Sequence, residues 1–271
     1  MATATHHVAV PGEKPVEVAV TDVGAGQPFL LLHGGAGPQS VQPFGEQFAA
    51  VKGVRVLVPV HPGFGGTPRP DGLTGIPRLA ALYLRLLEDL GLEDVTVIGN
   101  SIGGWITAEI ALLRSPRVSG IVLIDAVGLE VPGHPVADFF AMTMDEVFTR
   151  TFHDPAPFRF DPTTLPPEAQ AVAAGNRAAL AAYAGAAMSD PTLAGRLAGL
   201  ELPTLVLWGD SDQIVDPGYG RAYAAAIPTA RFQLLKDTGH LPSLETPHQL
   251  MHAIWDRADT GLSGQRDLGL A

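Results

Sequence analysis

The run Val95-Thr96-Val97-Ile98-Gly99-Asn100-Ser101-Ile102-Gly103-Gly104 decides the fold of this chain. Four β-favouring residues precede Gly-x-Ser-x-Gly, and residues 105–113 after it read as a helix. A buried strand that turns sharply into a helix, with a serine at the apex, is a nucleophile elbow. Gly99 and Gly103 are expected there because the serine backbone is strained and side chains beside it would clash. The alternative is a glycine-rich loop of an ordinary α/β protein, and the flanking strand and helix favour the elbow.

Strands and helices alternate from residue 29 to 126, which predicts a mostly parallel sheet with right-handed crossovers. The regular pattern stops over residues 127–202, which are rich in Pro, Ala and Phe, and then resumes. A hairpin is expected at the N-terminus, with His6 and His7 solvated before it. The predicted strands are 8–10, 16–20, 29–32, 54–60, 95–98, 118–126, 204–208 and 231–236, and the predicted helices are 41–51, 76–90, 105–113, 135–151, 166–188, 217–226 and 247–258.

Composition excludes several classes of protein. The 271 residues, 46% of them hydrophobic, suit one large α/β domain with an insertion. A net charge of -11 repels phosphate backbones and anionic lipids, so we expect neither nucleic acid nor a membrane as partner. Without cysteine there are no disulfides or thiolate nucleophiles. With no signal peptide or apolar span recognised, we expect a cytoplasmic monomer or homodimer that binds a small molecule.

A serine needs a base to become a nucleophile, and nine histidines are available. His240 is the strongest candidate because it lies in a Gly- and Pro-containing loop after a strand, where catalytic groups of open α/β sheets gather. His33 and His61 each open a glycine loop and are expected to brace it. His248 and His252 are four residues apart on the last helix, but no H-E-x-x-H pattern accompanies them, so we expect no metal.

The base also needs a carboxylate to orient it. Asp212 follows the strand that ends at Trp208, and Asp210 beside it has the usual place of a turn residue. Asp125, at the end of an earlier strand, is a rival for the same role. With Asp212 the chain order is Ser, Asp, His.

Five motifs together make the chain resemble the α/β-hydrolases over essentially all of its length outside the insertion. They are H-G-G-A-G at 33–37, P-G-F-G-G at 62–66, G-N-S-I-G-G at 99–104, L-W-G-D-S-D at 207–212 and T-G-H at 238–240.

The resemblance implies a mostly parallel central sheet flanked by helices, with a helical cap inserted after the sixth strand. It places the acid at Asp212 and the base at His240, and the oxyanion hole at the backbone N–H groups of Gly35 and Ile102, with Ala36 as the alternative. Residues 1–126 and 203–260 would form the core, 127–202 the cap, and 261–271 a frayed tail.

The substrate is less closely defined by these motifs. A serine nucleophile argues against dehalogenase and epoxide hydrolase relatives, which use aspartate. Asn100 before the serine, and Arg177 on a cap helix, resemble hydrolases that cleave carbon–carbon bonds in ring-fission products. Leu241 departs from that group, which usually has tryptophan after the catalytic histidine. An esterase-type hydrolase therefore ranks first, the carbon–carbon hydrolase second, and a slowly turning-over small-molecule receptor is the alternative from another class.

The predicted cap contains aromatic and methionine side chains that either line an apolar pocket or form the cap's own small core. Phe139 and Phe148 are candidate substrate contacts beside Arg177. No metal or organic cofactor is needed for the expected acyl-enzyme chemistry. The aromatic and methionine side chains of the predicted cap are Phe139, Phe140, Met142, Met144, Phe148, Phe152, Phe158 and Phe160.

Overall fold

The computed structural model describes residues 2–10 and 14–257, and eight strands among them form a single sheet. These strands are β1 (Ala2–Val8), β2 (Val16–Gly24), β3 (Pro28–Leu32), β4 (Arg55–Pro59), β5 (Val95–Asn100), β6 (Val118–Ile124), β7 (Thr204–Gly209) and β8 (Ala230–Leu235).

The sheet has the order β1-β2-β4-β3-β5-β6-β7-β8. The pairs from β4 through β3 to β8 are parallel, whereas β1 pairs with β2, and β2 with β4, in the antiparallel sense. This arrangement confirms the predicted mostly parallel sheet. The expectation that His6 and His7 precede the first strand is wrong, because both lie within β1, opposite Val18 and Glu17 of β2.

Helices cover both faces of this sheet. They are α1 (Gln42–Lys52), α2 (Ile76–Asp89), α3 (Ile102–Leu112), α4 (Met144–Thr151), α5 (Pro167–Ala184), α6 (Leu193–Leu197), α7 (Pro217–Ala225), α8 (Pro242–Glu245) and α9 (Pro247–Arg257).

Two hydrophobic clusters hold these layers together. One packs α2, α3 and α7 on one face of the sheet, and the other packs α1 and α9 on the opposite face. Every residue of β5 and of β7 is buried, as expected of central strands covered on both faces. The elbow strand therefore lies in the middle of the molecule, and its C-terminal end is the place where the motif loops meet.

The segment between β6 and β7 contains α4, α5 and α6. The helix predicted over 135–151 is wrong in its start, because Thr143 caps α4: its side chain accepts from the Glu146 N–H while Glu146 bonds back to the Thr143 N–H. The helix predicted to extend to residue 188 ends at Ala184, since Gly185 adopts a positive φ of 66°.

The beginning of the segment between β6 and β7 is hydrogen-bonded to a later part of the same segment. The Gly128 N–H donates to the Met188 carbonyl at 3.1 Å, and the Asp190 N–H donates to the Gly128 carbonyl at 2.8 Å. Beyond these hydrogen bonds, Arg196 of α6 binds the buried carboxylate of Glu109 on α3 through two hydrogen bonds of 2.6 and 2.7 Å. Residues 189–197 of the predicted cap are thus fastened to the sheet layer. The predicted frayed tail, 261–271, lies outside the described residues.

Replacing Arg196 with alanine leaves the Glu109 carboxylate buried without its partner. We expect the free energy of unfolding to fall by about 2–4 kcal/mol, somewhat below the loss for a fully buried pair because the Arg196 side chain is 37% exposed. Denaturant titration measures this loss. Arg85→Ala, which removes a surface ion pair with Asp89, is the matched control and should cost less than about 1 kcal/mol. Equal losses in the two variants would contradict the anchoring role of Arg196.

Candidate active site

Ser101 stands between the last residue of β5 and the first residue of α3. Its backbone has φ 56° and ψ -119°, a region that residues other than glycine rarely adopt, and its side chain is almost buried. A Cβ on Gly99 would lie 2.0 Å from the Gly103 carbonyl oxygen, and a Cβ on Gly103 would lie 2.4 Å from the Leu32 carbonyl oxygen. The two glycines are therefore required by close backbone approach on both sides of the serine.

His240 and Asp212 lie hydrogen-bonded at the same end of the sheet. The His240 Nδ1 is 2.7 Å from the Asp212 Oδ2, and both side chains are buried. The Asp212 Oδ1 accepts from the N–H groups of Ile214 and Val215, at 2.8 and 3.2 Å, which fixes the carboxylate plane. Because Nδ1 donates to the carboxylate, the imidazole presents Nε2 as its basic nitrogen.

Asn100 links the serine turn to the histidine loop. Its Nδ2 donates to the carbonyl oxygens of Ile124 and His240, at 3.2 and 3.0 Å. The residue before Ser101 thus holds the backbone of His240 directly. The sequence offered Asn100 as a sign of carbon–carbon hydrolases, whereas in the structure its amide nitrogen is used for this cross-link.

The two rival acids have other partners. Asp210 accepts from the Ser211 hydroxyl at 2.8 Å and from the Thr238 N–H at 3.3 Å, as a loop-shaping residue does. Asp125 is fully buried, and its Oδ1 accepts from the Gly209 N–H at 2.8 Å. Burial, and next the neighbouring charge of Asp212, raise the pKa of Asp125 well above its ordinary value.

Two backbone N–H groups were predicted to form an oxyanion hole. Ile102 is the first residue of α3, so its N–H has no acceptor within the helix. Gly35 follows β3, and a Cβ on it would come within 3.0 Å of the Leu180 side chain on α5. A Cβ on the preceding Gly34 would lie 2.9 Å from the Ser101 Cβ, so this loop packs directly against the serine.

His33 and His61 brace that loop, as expected, with a partner that the sequence did not indicate. The two rings lie in contact with centroids 3.7 Å apart and planes tilted by 34°. The backbone N–H of His61 donates to His33 Nε2, and His61 Nε2 donates to the His33 carbonyl. His33 Nδ1 donates to the Gly34 carbonyl at 2.8 Å, and the Tyr83 hydroxyl donates to His61 Nδ1. Burial lowers the pKa of His61 to about 4, and burial and His61 lower the pKa of His33. The pair is neutral at pH 7.

The insertion contacts both loops that carry the buried histidine and aspartate. At the end of α4 the Thr151 carbonyl accepts from the His240 N–H at 2.6 Å, and the Arg150 carbonyl accepts from the Gln213 N–H at 3.0 Å. Glu245 accepts from the Gly239 N–H at 2.6 Å and from the Asp154 N–H at 3.0 Å. Sequence reasoning missed the two main-chain carbonyls, which carry no sequence signal, and also the Glu245 carboxylate.

The helix α5 lies across the two glycine loops. The Asn176 side-chain oxygen accepts from the Gly65 N–H at 2.8 Å, and the Tyr183 hydroxyl donates to the Pro62 carbonyl at 2.8 Å. Leu180, between them on the helix, lies over Gly35. The insertion therefore contacts the loops that contain Gly35 and Gly65 as well as the loop of His240.

Arg177 was expected either to face the substrate or to be solvated, and the structure gives it a third position. Its guanidinium donates to the carbonyl oxygens of Phe139 and Phe140, at 3.3 and 2.5 Å, and lies 5.2 and 5.3 Å from the centres of their rings. Arg177 is half-buried and fastens the segment before α4 to α5. Phe139 is thus a partner of Arg177.

The other predicted aromatic contact, Phe148, belongs to a small cluster on the insertion. It packs with Phe152 and with Leu241, the residue after His240. Phe152 also stacks on Phe158, with ring centroids 4.0 Å apart. This cluster is the hydrophobic contact between α4 and the histidine loop, so Phe148 and Phe152 stabilise the position of that loop.

The described residues include no cluster of three or more histidine, aspartate or glutamate side chains suited to a metal. In the same part of the chain no helix is long and apolar enough to cross a membrane.

The His33–His61 pair should make the protein sensitive to acid. The folded-state pKa of His61 lies below the value of 6.5 expected of the unfolded chain, so between pH 6.5 and about 4 the unfolded state binds more protons. Stability therefore falls as the pH falls through this window, by about 3 kcal/mol from His61 alone. We expect His61→Gln to remove this part of the acid slope of the unfolding free energy. His252→Gln, on the exposed face of α9, is the control. An unchanged slope in His61→Gln would contradict this assignment.

Comparison with known proteins shows the family of this chain. The model of the alpha/beta hydrolase family matches residues 29–253. Lipase 3 of Moraxella sp. strain TA144 is 28% identical, over 86% of this chain and 78% of its own length. A 2-hydroxy-6-oxo-2,4-heptadienoate hydrolase of Pseudomonas putida is 35% identical, over 42% of each chain.

Among solved structures, a thermophilic esterase from Thermogutta terrifontis superposes with a TM-score of 0.77 at 25% identity, covering 97% of this chain and all of its own. A meta-cleavage product hydrolase from Pseudomonas fluorescens IP01 superposes at 0.69 with 20% identity, covering 90% and 94%, which is a likeness of fold. The family match spans most of the chain. The chain therefore belongs to the alpha/beta hydrolase family and is a hydrolase.

Proposed function

We propose that this hydrolase cleaves a small, largely apolar ester or related carbonyl compound through an acyl-enzyme on Ser101. The observation that carries the proposal is the buried 2.7 Å hydrogen bond between His240 Nδ1 and Asp212 Oδ2, at the end of the sheet where the strained Ser101 turn lies. This is the orientation that a general base needs.

The reaction follows from the roles of these groups. His240 Nε2 takes the proton of Ser101 as the hydroxyl oxygen attacks the carbonyl carbon. Asp212 holds the imidazole in the required tautomer and stabilises the imidazolium. The N–H groups of Gly35 and Ile102 stabilise the tetrahedral oxyanion. His240 then protonates the leaving alcohol, and water activated by His240 hydrolyses the acyl-enzyme.

We further propose that residues 127–202 act as a cap over this site. The support is the contact of α4 with the histidine loop and of α5 with the loop that contains Gly35. The apolar side chain of Leu180, which lies over Gly35, favours a substrate with an apolar acyl or alcohol part. The lipase and esterase named among the relatives agree with this substrate class.

Cleavage of a carbon–carbon bond is the second candidate. Asn100 before the serine and the match to a 2-hydroxy-6-oxo-2,4-heptadienoate hydrolase favour it. Against it stands Arg177, whose Nη2 donates to the carbonyls of Phe139 and Phe140 and whose guanidinium lies over both rings, so it already serves to hold this segment. We therefore rank the ester reaction first. The cytoplasmic location and the monomeric or dimeric state stay predictions.

Replacing Ser101 with alanine tests the nucleophile. We expect kcat on the best p-nitrophenyl ester to fall by several orders of magnitude, because the three residues act as a unit, with little change in melting temperature. Ser211→Ala, on the loop of Asp212, is the control and should keep near wild-type turnover. Full activity of Ser101→Ala would rule out the covalent mechanism. A product burst followed by negligible turnover in the wild-type protein would favour a small-molecule receptor.

Replacing Arg177 with alanine separates the two hydrolase reactions. We expect similar, modest reductions of kcat/KM on a carboxylate-bearing substrate and on a neutral ester of the same size, since Arg177 supports the cap. If Arg177 instead binds a substrate carboxylate, its loss would cost about 2–5 kcal/mol on the charged substrate alone. Arg159→Ala, which removes an ion pair with Asp145 on the same insertion, controls for general loosening of the cap.

A further inference from the structure

Asp125 is a buried acid that the proposed reaction does not use. It follows the last residue of β6 with a positive φ of 45°, and no part of its side chain is exposed. Its Oδ1 accepts from the Gly209 N–H, while its Oδ2 has no hydrogen-bond partner among the described residues. Burying an ionised carboxylate oxygen without a hydrogen-bond donor costs folding free energy, so the protonation state of Asp125 needs an explanation.

The negatively charged groups around Asp125 make its ionisation still less favourable. Gly209 joins the two acids, because its N–H donates to the Asp125 Oδ1 at 2.8 Å and its carbonyl accepts from the Asp212 N–H at 3.3 Å. The negative charges of Asp212 and of Glu245 on α8 both raise the pKa of Asp125 further. The His240 imidazole, which could supply a positive charge, is hydrogen-bonded to Asp212. When two neighbouring carboxylates are buried, their mutual repulsion and the loss of hydration oppose the ionisation of both, and one of them keeps its proton.

Asp212 is the member of the pair that stays ionised. Its Oδ1 accepts two backbone N–H bonds and its Oδ2 accepts from His240, so three donors stabilise its charge. Asp125 has one donor on one oxygen. A proton on the Asp125 Oδ2 would convert the unpartnered acceptor into a donor facing the Asp212 carboxylate.

We propose that Asp125 is a neutral carboxylic acid in the folded enzyme at pH 7 and donates a hydrogen bond to Asp212. Asp125 is then a positioning residue: it fixes the carboxylate that orients His240, and it keeps the pair at a single negative charge. Its part in catalysis rests on the proposed role of Asp212, whereas its protonation does not.

The pH dependence of unfolding tests the protonation without any turnover. Because the folded state binds a proton at Asp125 that the unfolded state releases above its ordinary pKa, wild-type stability should fall relative to Asp125→Asn as the pH rises from 5 to 8. The ratio of their unfolding equilibrium constants should change up to tenfold per pH unit. Asp210→Asn is the control, since hydrogen bonds lower the pKa of Asp210 and its ratio to wild type should stay flat above pH 5. A flat ratio for Asp125→Asn would overturn the proposal.

Infrared spectroscopy of the wild-type protein gives a second measurement that requires no variant. With ¹³C-labelled aspartate, the C=O stretch of a protonated carboxyl should be present at pH 7 and move on labelling. Absence of that band would overturn the proposal even if Asp125→Asn failed to fold.

Kinetics then test the positioning role. Asp125→Asn keeps an acceptor for Gly209 and a donor for Asp212, so kcat should stay within about threefold of wild type and the acid limb of the kcat/KM profile should not move. Asp125→Ala removes both groups, and kcat should fall at least tenfold with little change in KM. A shift of the acid limb in Asp125→Asn would show that a charge had been removed, which contradicts the proposal. Loss of activity in Ser101→Ala, by contrast, concerns only the proposed function.

Discussion

The left-handed backbone of Ser101 is the constraint on which the rest of this structure depends. A non-glycine residue in such a conformation costs about 1–3 kcal/mol and persists only where its surroundings enforce it. Three glycines around Ser101, namely Gly34, Gly99 and Gly103, allow β5, α3 and the loop after β3 to approach one another more closely than a Cβ would permit. This close packing holds the Ser101 backbone in its conformation. The parallel sheet supplies the rigid frame, since β5 is its buried central strand.

The insertion, residues 127–202, is hydrogen-bonded to the loops that carry His240 and Asp212. Main-chain carbonyls at the end of α4 accept from His240 and Gln213, and α5 packs on the loop that contains Gly35. These contacts hold the backbone of the histidine loop and of the loop that contains Gly35. A displacement of α4 would break the hydrogen bond from the His240 N–H to the Thr151 carbonyl and so disturb His240 directly.

The local sequence predicted those features that depend on local chemistry. The elbow glycines, the alternation of strands and helices, and the loop positions of Asp212 and His240 follow from patterns within a few residues. The predicted start of α4 at residue 135 was wrong, although the capping box of Thr143 and Glu146 is a local signal for the true start. The positions of Arg177 and Glu245 depend on the backbone of Phe140 and Asp154, which lie 37 and 91 residues away in the chain, and residue patterns do not encode such pairs. The extension of β1 through His6 and His7 depends on its pairing with Val18 and Glu17 of β2.

Covalent trapping tests whether Ser101 is a nucleophile that His240 activates. The protein would be incubated with an alkyl phosphonate ester, and its intact mass and peptide map would be measured. We expect one adduct per chain, located on Ser101, formed much more slowly in His240→Ala and absent in Ser101→Ala. An adduct on another residue, or equal labelling of Ser101→Ala, would contradict this role of Ser101.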